Sequence, residues 1–327
     1  MIRLRVLLAL ALVAASGCSH SLEIPSRPLP GDAVAVARFE LPPEPFPWSL
    51  KPRADVPAEE RAFDLTFPSA VTGESPENNT VTCRVWMPKD DAPSPRPAVV
   101  MLHYLRGTFK PMEEAGRFFA AKGFVSMLIY MPHYGPRATA DPERKRHMIT
   151  DDVELTVGNF RQAVLDIRRA GDWLRSRRDV DAGRVGLFGV SMGAVVGALV
   201  SGVDPRFTRT VLVAGGGDLA TLVLHESKET REMRRKLLEG GWTREKLETA
   251  LAPIEPLAVA SRVDPANVLF INATLDQVIP KACTEKLRAA MGGPRVRWLK
   301  ADHYTIALAL YDILKESALH LAQSPSW

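Results

Sequence analysis

The sequence predicts an α/β fold with a mostly parallel sheet of about eight strands, helices on both faces and a helical cap insertion. Three observations lead to this prediction. Short apolar runs alternate with helical patterns from about residue 60 to the C-terminus. Most of these runs are continuous, which is typical of strands buried on both faces. One segment, residues 218–263, is helical and highly charged, and it interrupts the alternation where a cap over the strand ends would begin.

The strand and helix patterns follow one another in a regular order. The first two strand patterns, residues 62–70 and 79–88, alternate polar and apolar side chains around a polar turn, which predicts an antiparallel hairpin at the sheet edge. The later runs predict parallel strands, and the segments between them predict crossover helices. The later predicted strands cover 97–105, 124–132, 184–189, 209–217, 266–273 and 295–301, and the predicted helices cover 112–122, 152–177, 192–202, 281–291 and 304–322.

Composition excludes several classes of function. The 327 residues carry a formal net charge of +4, with 46% hydrophobic and 24% charged residues, which is ordinary for a globular protein. Because the positive charge is not gathered into a block, a nucleic-acid surface is not expected. The chain contains no Gly-x-Gly-x-x-Gly pattern, no Walker loop and no metal-ligand spacing, so neither a cofactor nor a metal is expected.

The N-terminus predicts export from the cytoplasm. Residues 1–17 combine two arginines, a short apolar stretch and small residues, which is typical of a signal peptide. Cys18 follows directly and resembles the lipidated cysteine of bacterial lipoproteins, and Ser19 after it favours the outer membrane under that resemblance. The alternative is a plain secretory signal and a periplasmic or secreted protein. Residues 18–58 are rich in proline and predict an extended tether before a folded domain at 59–327.

A single serine stands between two glycines where a strand pattern gives way to a helix of small residues. Gly189 and Gly193 flank Ser191, and their missing side chains suit a sharp strand-to-helix turn. On its own this pattern is also compatible with a tight turn that holds an incidental serine. A serine nucleophile needs a base and an orienting carboxylate as well.

In a parallel sheet such partners belong in the loops that follow the strands. Asp276 and His303 follow the last two predicted strands, which gives the chain order serine, aspartate, histidine. Asp218 follows an earlier strand and is a rival acid.

The order of Ser191, Asp276 and His303 and the segments around them resemble the α/β-hydrolase family. Within that family, the chain resembles the dienelactone-hydrolase and prolyl-oligopeptidase-like esterase branches. The matching segments are "DVDAGRVGLFGVSMGA", "VLFINATLDQVIP" and "ADHY", in the family's order and within about residues 60–322. The resemblance implies Ser191 as the nucleophile, His303 as the general base and then acid, and Asp276 as the group that orients the histidine.

The resemblance also implies two backbone N–H groups that bind the oxyanion. One belongs to Met192, directly after the nucleophile. The other belongs to the loop after the strand segment "AVVMLH" (98–103), where many relatives read His-Gly and this chain reads His103-Tyr104-Leu105. Either Tyr104 or Leu105 is therefore the second donor.

The loop after the strand at 124–132 opens at the same edge of the sheet. His133, Tyr134 and Arg137 are candidate substrate contacts, and the Arg137 guanidinium would suit a carboxylate or a sugar acid. The alternative is a proline-rich loop whose aromatic side chains pack on the surface.

Together these residues predict a serine hydrolase, most specifically a carboxylic-ester hydrolase with a small-molecule ester substrate and a membrane anchor at Cys18. Two alternatives remain open. One is a serine peptidase of the prolyl-oligopeptidase-like type. The other is a non-catalytic envelope binding protein on the same fold, against which the presence of Ser191, Asp276 and His303 argues.

Overall fold

The structure is a computed structural model that describes residues 19–22, 36–41, 44–57, 60–88, 95–105, 108–141 and 147–323. Its strands are β1 (Ser19–Leu22), β2 (Phe46–Pro52), β3 (Ala62–Pro68), β4 (Thr80–Trp86), β5 (Arg96–Leu102), β6 (Val125–Ile129), β7 (Val180–Val190), β8 (Thr210–Val213), β9 (Val268–Ala273) and β10 (Arg295–Leu299). Its helices are α1 (Lys110–Ala121), α2 (Val153–Arg175), α3 (Met192–Val203), α4 (Leu219–Leu224), α5 (Arg231–Glu239), α6 (Arg244–Leu251), α7 (Lys281–Ala290) and α8 (Leu310–Ala322).

Within the described ranges the ten strands form one sheet, in the order β1-β2-β3-β4-β6-β5-β7-β8-β9-β10. The strands from β6 to β10 in this order pair in parallel. Both faces of this half are covered, so the continuous apolar runs are explained: Val99 to Leu102 of β5 have no exposed surface, and all of β9 is buried. The predicted α/β fold is confirmed.

The other edge of the sheet is antiparallel and larger than predicted. β3 and β4 form the predicted hairpin, and β4 continues into the parallel half by pairing with β6. Residues 18–58 were expected to form an extended tether, but β2 pairs with β3 on one side and β1 on the other. Phe46 of β2 is 3% exposed, and Trp48 packs edge-on against Trp173. The folded region therefore begins before the predicted boundary at residue 59.

Helices cover both faces of the sheet, and neighbouring residues of β7 show the division. Leu187 packs in a hydrophobic cluster with α2 and α3, whereas Phe188 packs in a second cluster with α1 and α8. Successive strand residues point to opposite faces, so a single strand holds both layers.

The segment between β8 and β9 forms the helical cap. It consists of α4, α5 and α6, followed by short 3-10 turns at Ala252–Ile254 and Pro256–Arg262. Leu237, Leu247 and Leu251 are buried and join the cap to the cluster around α2 and α3.

In the described part of the chain, none of the helices combines the length and the hydropathy that a membrane span requires. Cys18 and residues 1–17 lie outside the described residues, so the signal and the lipid anchor stay predictions.

Candidate active site

β7 ends in a sharp turn that places Ser191 directly before α3. Ser191 has φ 53° and ψ −117°, a strained backbone conformation for a residue with a side chain. Its N–H donates to the Val213 carbonyl of β8 at 2.8 Å, and its carbonyl accepts from the Ala194 N–H at 2.8 Å. These bonds hold the strained residue between strand and helix.

Both flanking glycines are needed because backbone passes close to them. A Cβ at Gly189 would lie 2.3 Å from the Gly193 carbonyl oxygen, and a Cβ at Gly193 would lie 2.1 Å from the Leu102 carbonyl oxygen. A side chain at either position would force the turn open.

Three side chains from three loops form a hydrogen-bonded chain at the carboxyl edge of the sheet. The Ser191 Oγ lies 2.9 Å from the His303 Nε2, and the His303 Nδ1 lies 2.7 Å from the Asp276 Oδ2. Asp276 follows β9 and His303 follows β10, and these strands are neighbours. The structure therefore brings together the serine, histidine and aspartate that the sequence singled out.

The Asp276 carboxylate is fixed from its other side. Its Oδ1 accepts from the N–H groups of Val278 and Ile279, both at 2.8 Å. The side chains of Asp276 and His303 are only 3% and 9% exposed. A buried carboxylate with one oxygen held by two backbone donors presents the other oxygen to His303 in one orientation.

Asp218, the rival acid, has other partners. It precedes α4 and accepts from the Thr221 N–H at 3.2 Å, so it caps that helix. Its second oxygen accepts from Lys286 Nζ at 2.7 Å. Burial alone would raise the pKa of Asp218, but the hydrogen bonds from Lys286 and Thr221 outweigh it and hold the pKa below its usual value.

Two stretches of backbone can supply donors to an oxyanion beside Ser191. Met192 is the first residue of α3, so its N–H has no acceptor within the helix. The loop after β5 is adjacent, because β5 pairs with β7. Tyr104, Leu105 and Met192 all line the cavity that also holds Ser191.

A buried histidine sets the orientation of this loop. His103 is fully buried, and burial lowers its pKa to about 4, so the ring is neutral. Its Nε2 accepts from the Met131 N–H at 3.1 Å, which leaves the proton on Nδ1 for donation to the Tyr104 carbonyl at 2.8 Å. A trans peptide points its C=O and N–H in opposite directions, so the Leu105 N–H points away from the His103 ring.

A cavity of about 820 Å³ lies between the sheet edge and the cap, and Ser191 and His303 line it. Its walls come from helices on both faces of the sheet and from the cap. Of the three candidate substrate contacts, only Tyr134 lies in this lining.

Arg137 does not contact the cavity, so the prediction that it binds substrate is wrong. Its side chain is fully buried and pairs with Asp166 of α2, which is also fully buried, at 2.8 Å. The same guanidinium donates to the carbonyls of Tyr130 and Asn78. These contacts tie the loop after β6 to α2.

The His133 side chain is also held by hydrogen-bonding partners outside the cavity. Its ring lies between Asn78, with Nδ2 2.7 Å from Nδ1, and Asn159, with Oδ1 3.1 Å from Nε2. The ring therefore belongs to the polar network under the loop and is absent from the cavity lining.

Two contacts between the cap and the loops that hold Asp276 and His303 were not predicted. The Tyr304 hydroxyl donates to Glu229 at 2.6 Å, and partial burial together with that carboxylate raises the pKa of Tyr304 to about 12. His225 Nε2 lies 3.0 Å from the Gln277 carbonyl oxygen. Tyr304 directly follows His303 in sequence, but nothing in the charged cap distinguishes Glu229 or His225 from its neighbours.

Among the described residues, no group of three His, Cys, Asp or Glu side chains is arranged to hold a metal ion.

The sequence and the fold are both similar to those of known proteins. Over 220 residues the chain is 26% identical to an uncharacterized protein of Mycobacterium tuberculosis, which covers 64% of this chain and 50% of that protein. The chain thus spans about half the length of the curated relative it matches.

The fold resembles several solved structures. The acetyl xylan esterase from Paenibacillus sp. R4 matches with a TM-score of 0.67 and 18% identity, over 90% of this chain and 97% of that one. Acetyl xylan esterase 1 from Thermoanaerobacterium sp. JW/SL YS485 matches with a TM-score of 0.62 and 16% identity, over 82% and 87%. A putative dienelactone hydrolase from Klebsiella pneumoniae matches with a TM-score of 0.53 and 17% identity, over 80% and 98%.

The model of the dienelactone hydrolase family matches residues 82–299, a range that includes Ser191 and Asp276 and ends just before His303. This range is most of the chain, and it runs from β4 to the end of β10. The chain belongs to the dienelactone hydrolase family.

Proposed function

We propose that the protein is a carboxylic-ester hydrolase that works through an acyl-enzyme on Ser191. The observation that carries the proposal is the hydrogen-bonded chain from the Ser191 Oγ through His303 to Asp276, which faces a cavity of about 820 Å³. Membership of the dienelactone hydrolase family supports it, as does the likeness to solved structures named as acetyl xylan esterases.

The first half of the reaction uses the histidine as a base. His303 Nε2 takes the proton of the Ser191 hydroxyl as the oxygen attacks the ester carbonyl. The imidazolium that forms is stabilised by the Asp276 carboxylate on Nδ1, which also fixes the tautomer that leaves Nε2 free to accept. The two N–H groups on the other Asp276 oxygen hold the carboxylate in this orientation throughout.

The tetrahedral intermediate carries a negative charge on the former carbonyl oxygen. We assign its two donors to the N–H groups of Met192 and Leu105. The Met192 N–H is free at the start of α3, and the bond from His103 to the Tyr104 carbonyl turns the Leu105 N–H away from the ring.

The intermediate then collapses. His303 gives its proton to the leaving alcohol, and the acyl group stays on Ser191. A water molecule attacks this acyl-enzyme with His303 again as base, which releases the acid and restores the serine.

Replacement of the nucleophile tests the proposal. We expect Ser191→Ala to lower kcat for 4-nitrophenyl ester hydrolysis by several orders of magnitude, because the covalent step is lost. The same variant should lose labelling by a fluorophosphonate. Ser261→Ala, at an exposed serine in the 3-10 turn Pro256–Arg262, is the control and should keep both.

A panel that pairs each ester with the matching amide separates an esterase from a peptidase. Substantial turnover by Ser191→Ala would remove the nucleophile assignment, and faster turnover of the amides would favour the peptidase. No labelling and no turnover in the wild type would favour the binding protein.

We also propose that the protein is exported and held at a membrane through a lipid on Cys18. The signal-like residues 1–17 and the position of the cysteine directly after them support this.

A further inference from the structure

We propose that the substrate is an ester with an apolar group on each side of its carbonyl, and not an acetylated sugar. This inference rests on the proposed ester hydrolysis at Ser191 and adds the class of substrate that the cavity accepts.

The cavity lies between two separate hydrophobic clusters. One wall, here called the helix-side wall, belongs to the cluster that packs α1 and α8 on the sheet. The other, here called the cap-side wall, belongs to the cluster that joins the cap to α2 and α3. Buried helix-side residues that line the cavity include Met112, Ala115, Phe188 and Ile313, and buried cap-side residues that line it include Leu219, Leu251 and Ile254.

Ser191 lies where the two walls meet. Phe188 and Val190 of β7 share one face of the strand, and both pack with the helix-side cluster. Met192 and Val195 of α3 pack with the cap-side cluster. An ester carbonyl bound between the Ser191 Oγ and the Met192 N–H therefore has one wall on each side, and its acyl and alcohol groups extend along apolar surface in both directions.

The charged side chains of the lining lie at its exposed or half-exposed rim, where they already have partners. Lys236 lies 3.5 Å from Asp151, and Glu229 accepts from the Tyr304 hydroxyl at 2.6 Å. A sugar ring between the walls would leave hydroxyl groups against apolar side chains, and a buried hydroxyl without a hydrogen-bond partner is unfavourable. Binding of an apolar group there would instead be favoured by the transfer of its surface out of water.

Two small lining residues leave room for a chain on the helix side of the cavity. Ala115 of the helix-side wall is fully buried, and Ala307, which follows the helix-side residue Ile306, is exposed at the mouth. Leu308, the next residue, is 89% exposed and does not line the cavity. A larger side chain at 307 should narrow the cavity, whereas the same side chain at 308 should point into solvent, so the two positions make a matched pair.

The experiment measures kcat/KM of the full chain for two series of esters. One series varies the acyl group in 4-nitrophenyl acetate, butyrate and octanoate, and the other varies the alcohol in ethyl, butyl and octyl acetate. Each buried methylene is worth about fourfold, so we expect kcat/KM to rise about tenfold or more between the first and second members of each series. Acetate release from acetylated xylan should be slower than from butyl acetate.

The variants test which residues form the walls. Ala307→Trp should reduce the ratio of kcat/KM between longer and shorter esters at least tenfold in one of the two series. The group that is varied in that series is then the one that lies along the helix-side wall. Leu308→Trp should leave both series as in the wild type. Flat or falling series in the wild type, faster release from acetylated xylan, or equal effects of the two variants would each overturn the proposal.

Failure of the substrate class is distinguishable from failure of the proposed function. If both series are flat but a fluorophosphonate labels Ser191 and 4-nitrophenyl acetate is hydrolysed, only the apolar class is wrong. If labelling and acetate hydrolysis also fail, the ester hydrolase itself is wrong.

Discussion

Two aspartates close to the end of the sheet have the same chemistry in solution, and their surroundings separate their roles. Asp276 offers an oxygen to the His303 Nδ1 at 2.7 Å, while Asp218 is shared between a helix N-terminus and Lys286. A carboxylate that already pairs with a cation and caps a helix cannot also orient the histidine.

This difference predicts opposite outcomes for two matched substitutions. Asp276→Asn should lower kcat by about 10³–10⁴, because the amide favours the wrong tautomer of His303. Asp218→Asn should change kcat little and lower the free energy of unfolding instead, since an ion pair weakens at a helix cap. Steady-state kinetics with one ester and urea unfolding check both variants. The assignment is wrong if Asp218→Asn is the variant that loses turnover.

The orientation of the Leu105 N–H depends on one buried ring, so in the proposed mechanism His103 is a positioning residue. His103→Leu removes the bond to the Tyr104 carbonyl and should lower kcat by about 10²–10³, the usual cost of an oxyanion donor, with a smaller change in KM. His103→Asn keeps an N–H near the position of Nδ1 and should recover part of the rate. Steady-state kinetics, with circular dichroism to check folding, measure this. Equal loss in both variants, or a change in KM alone, would argue for a merely structural role.

Local sequence predicts only some of these residues. Ser191 could be found because glycines at 189 and 193 mark the turn, and His303 because it follows a late strand. Arg137 also follows a strand, and local sequence places it at the same edge of the sheet. Its partner Asp166 lies 29 positions further on in α2, and only the packed structure shows that the guanidinium is used there.

At the scale of elements, neighbouring backbone tightly constrains the turn between β7 and α3. The Leu102 carbonyl of β5 approaches Gly193 so closely that a Cβ has no room. The strand beside β7 thus restricts the sequence of the helix that follows it.

Two glycine substitutions test this constraint. Gly193→Ala should lower the free energy of unfolding by about 1–3 kcal/mol through overpacking, and it should lower kcat because the Met192 N–H moves. Gly158→Ala is the control, because Gly158 lies in α2 with nothing within 4 Å of an added Cβ, and it should raise stability by up to about 1 kcal/mol. Urea unfolding midpoints and kcat measure both. Similar stability changes in the two variants would show that the turn is less crowded than the structure indicates.

β2 shows why composition misled the sequence prediction at this scale. Prolines crowd the region from 22 to 57 and favour an extended chain. An extended chain is also what a strand requires, and Phe46 and Trp48 alternate with less apolar residues in β2. Whether such a segment stays a tether or joins a sheet depends on whether a partner edge is free, and β3 provides one.

At the scale of the whole molecule, the order of the strands in the sheet brings together residues that are far apart in the sequence. Ser191 and His303 are 112 positions apart, and Asp276 and His303 are 27 apart, yet all three meet because β7, β8, β9 and β10 are successive neighbours. The chain-order pattern predicted these strands. The pairing of β5 with β7 brings the loop at Leu105 next to Ser191. The local pattern did not predict this pairing, and the family resemblance implied only that this loop supplies an oxyanion donor.

The proposed attachment of the whole molecule to a membrane depends on Cys18, which lies outside the described residues. β1 begins at Ser19 and pairs with β2, so a lipid on Cys18 would hold the antiparallel edge of the sheet close to the bilayer. Two acyl chains suffice for stable anchoring, whereas one gives only marginal binding. Cys18→Ser should therefore move the protein from the detergent phase of a membrane extract to the aqueous phase. Cys283→Ser, at a buried free cysteine, is the control and should not change the partition. If the wild type is already in the aqueous phase, the plain export signal accounts for residues 1–17 and the lipid anchor is wrong.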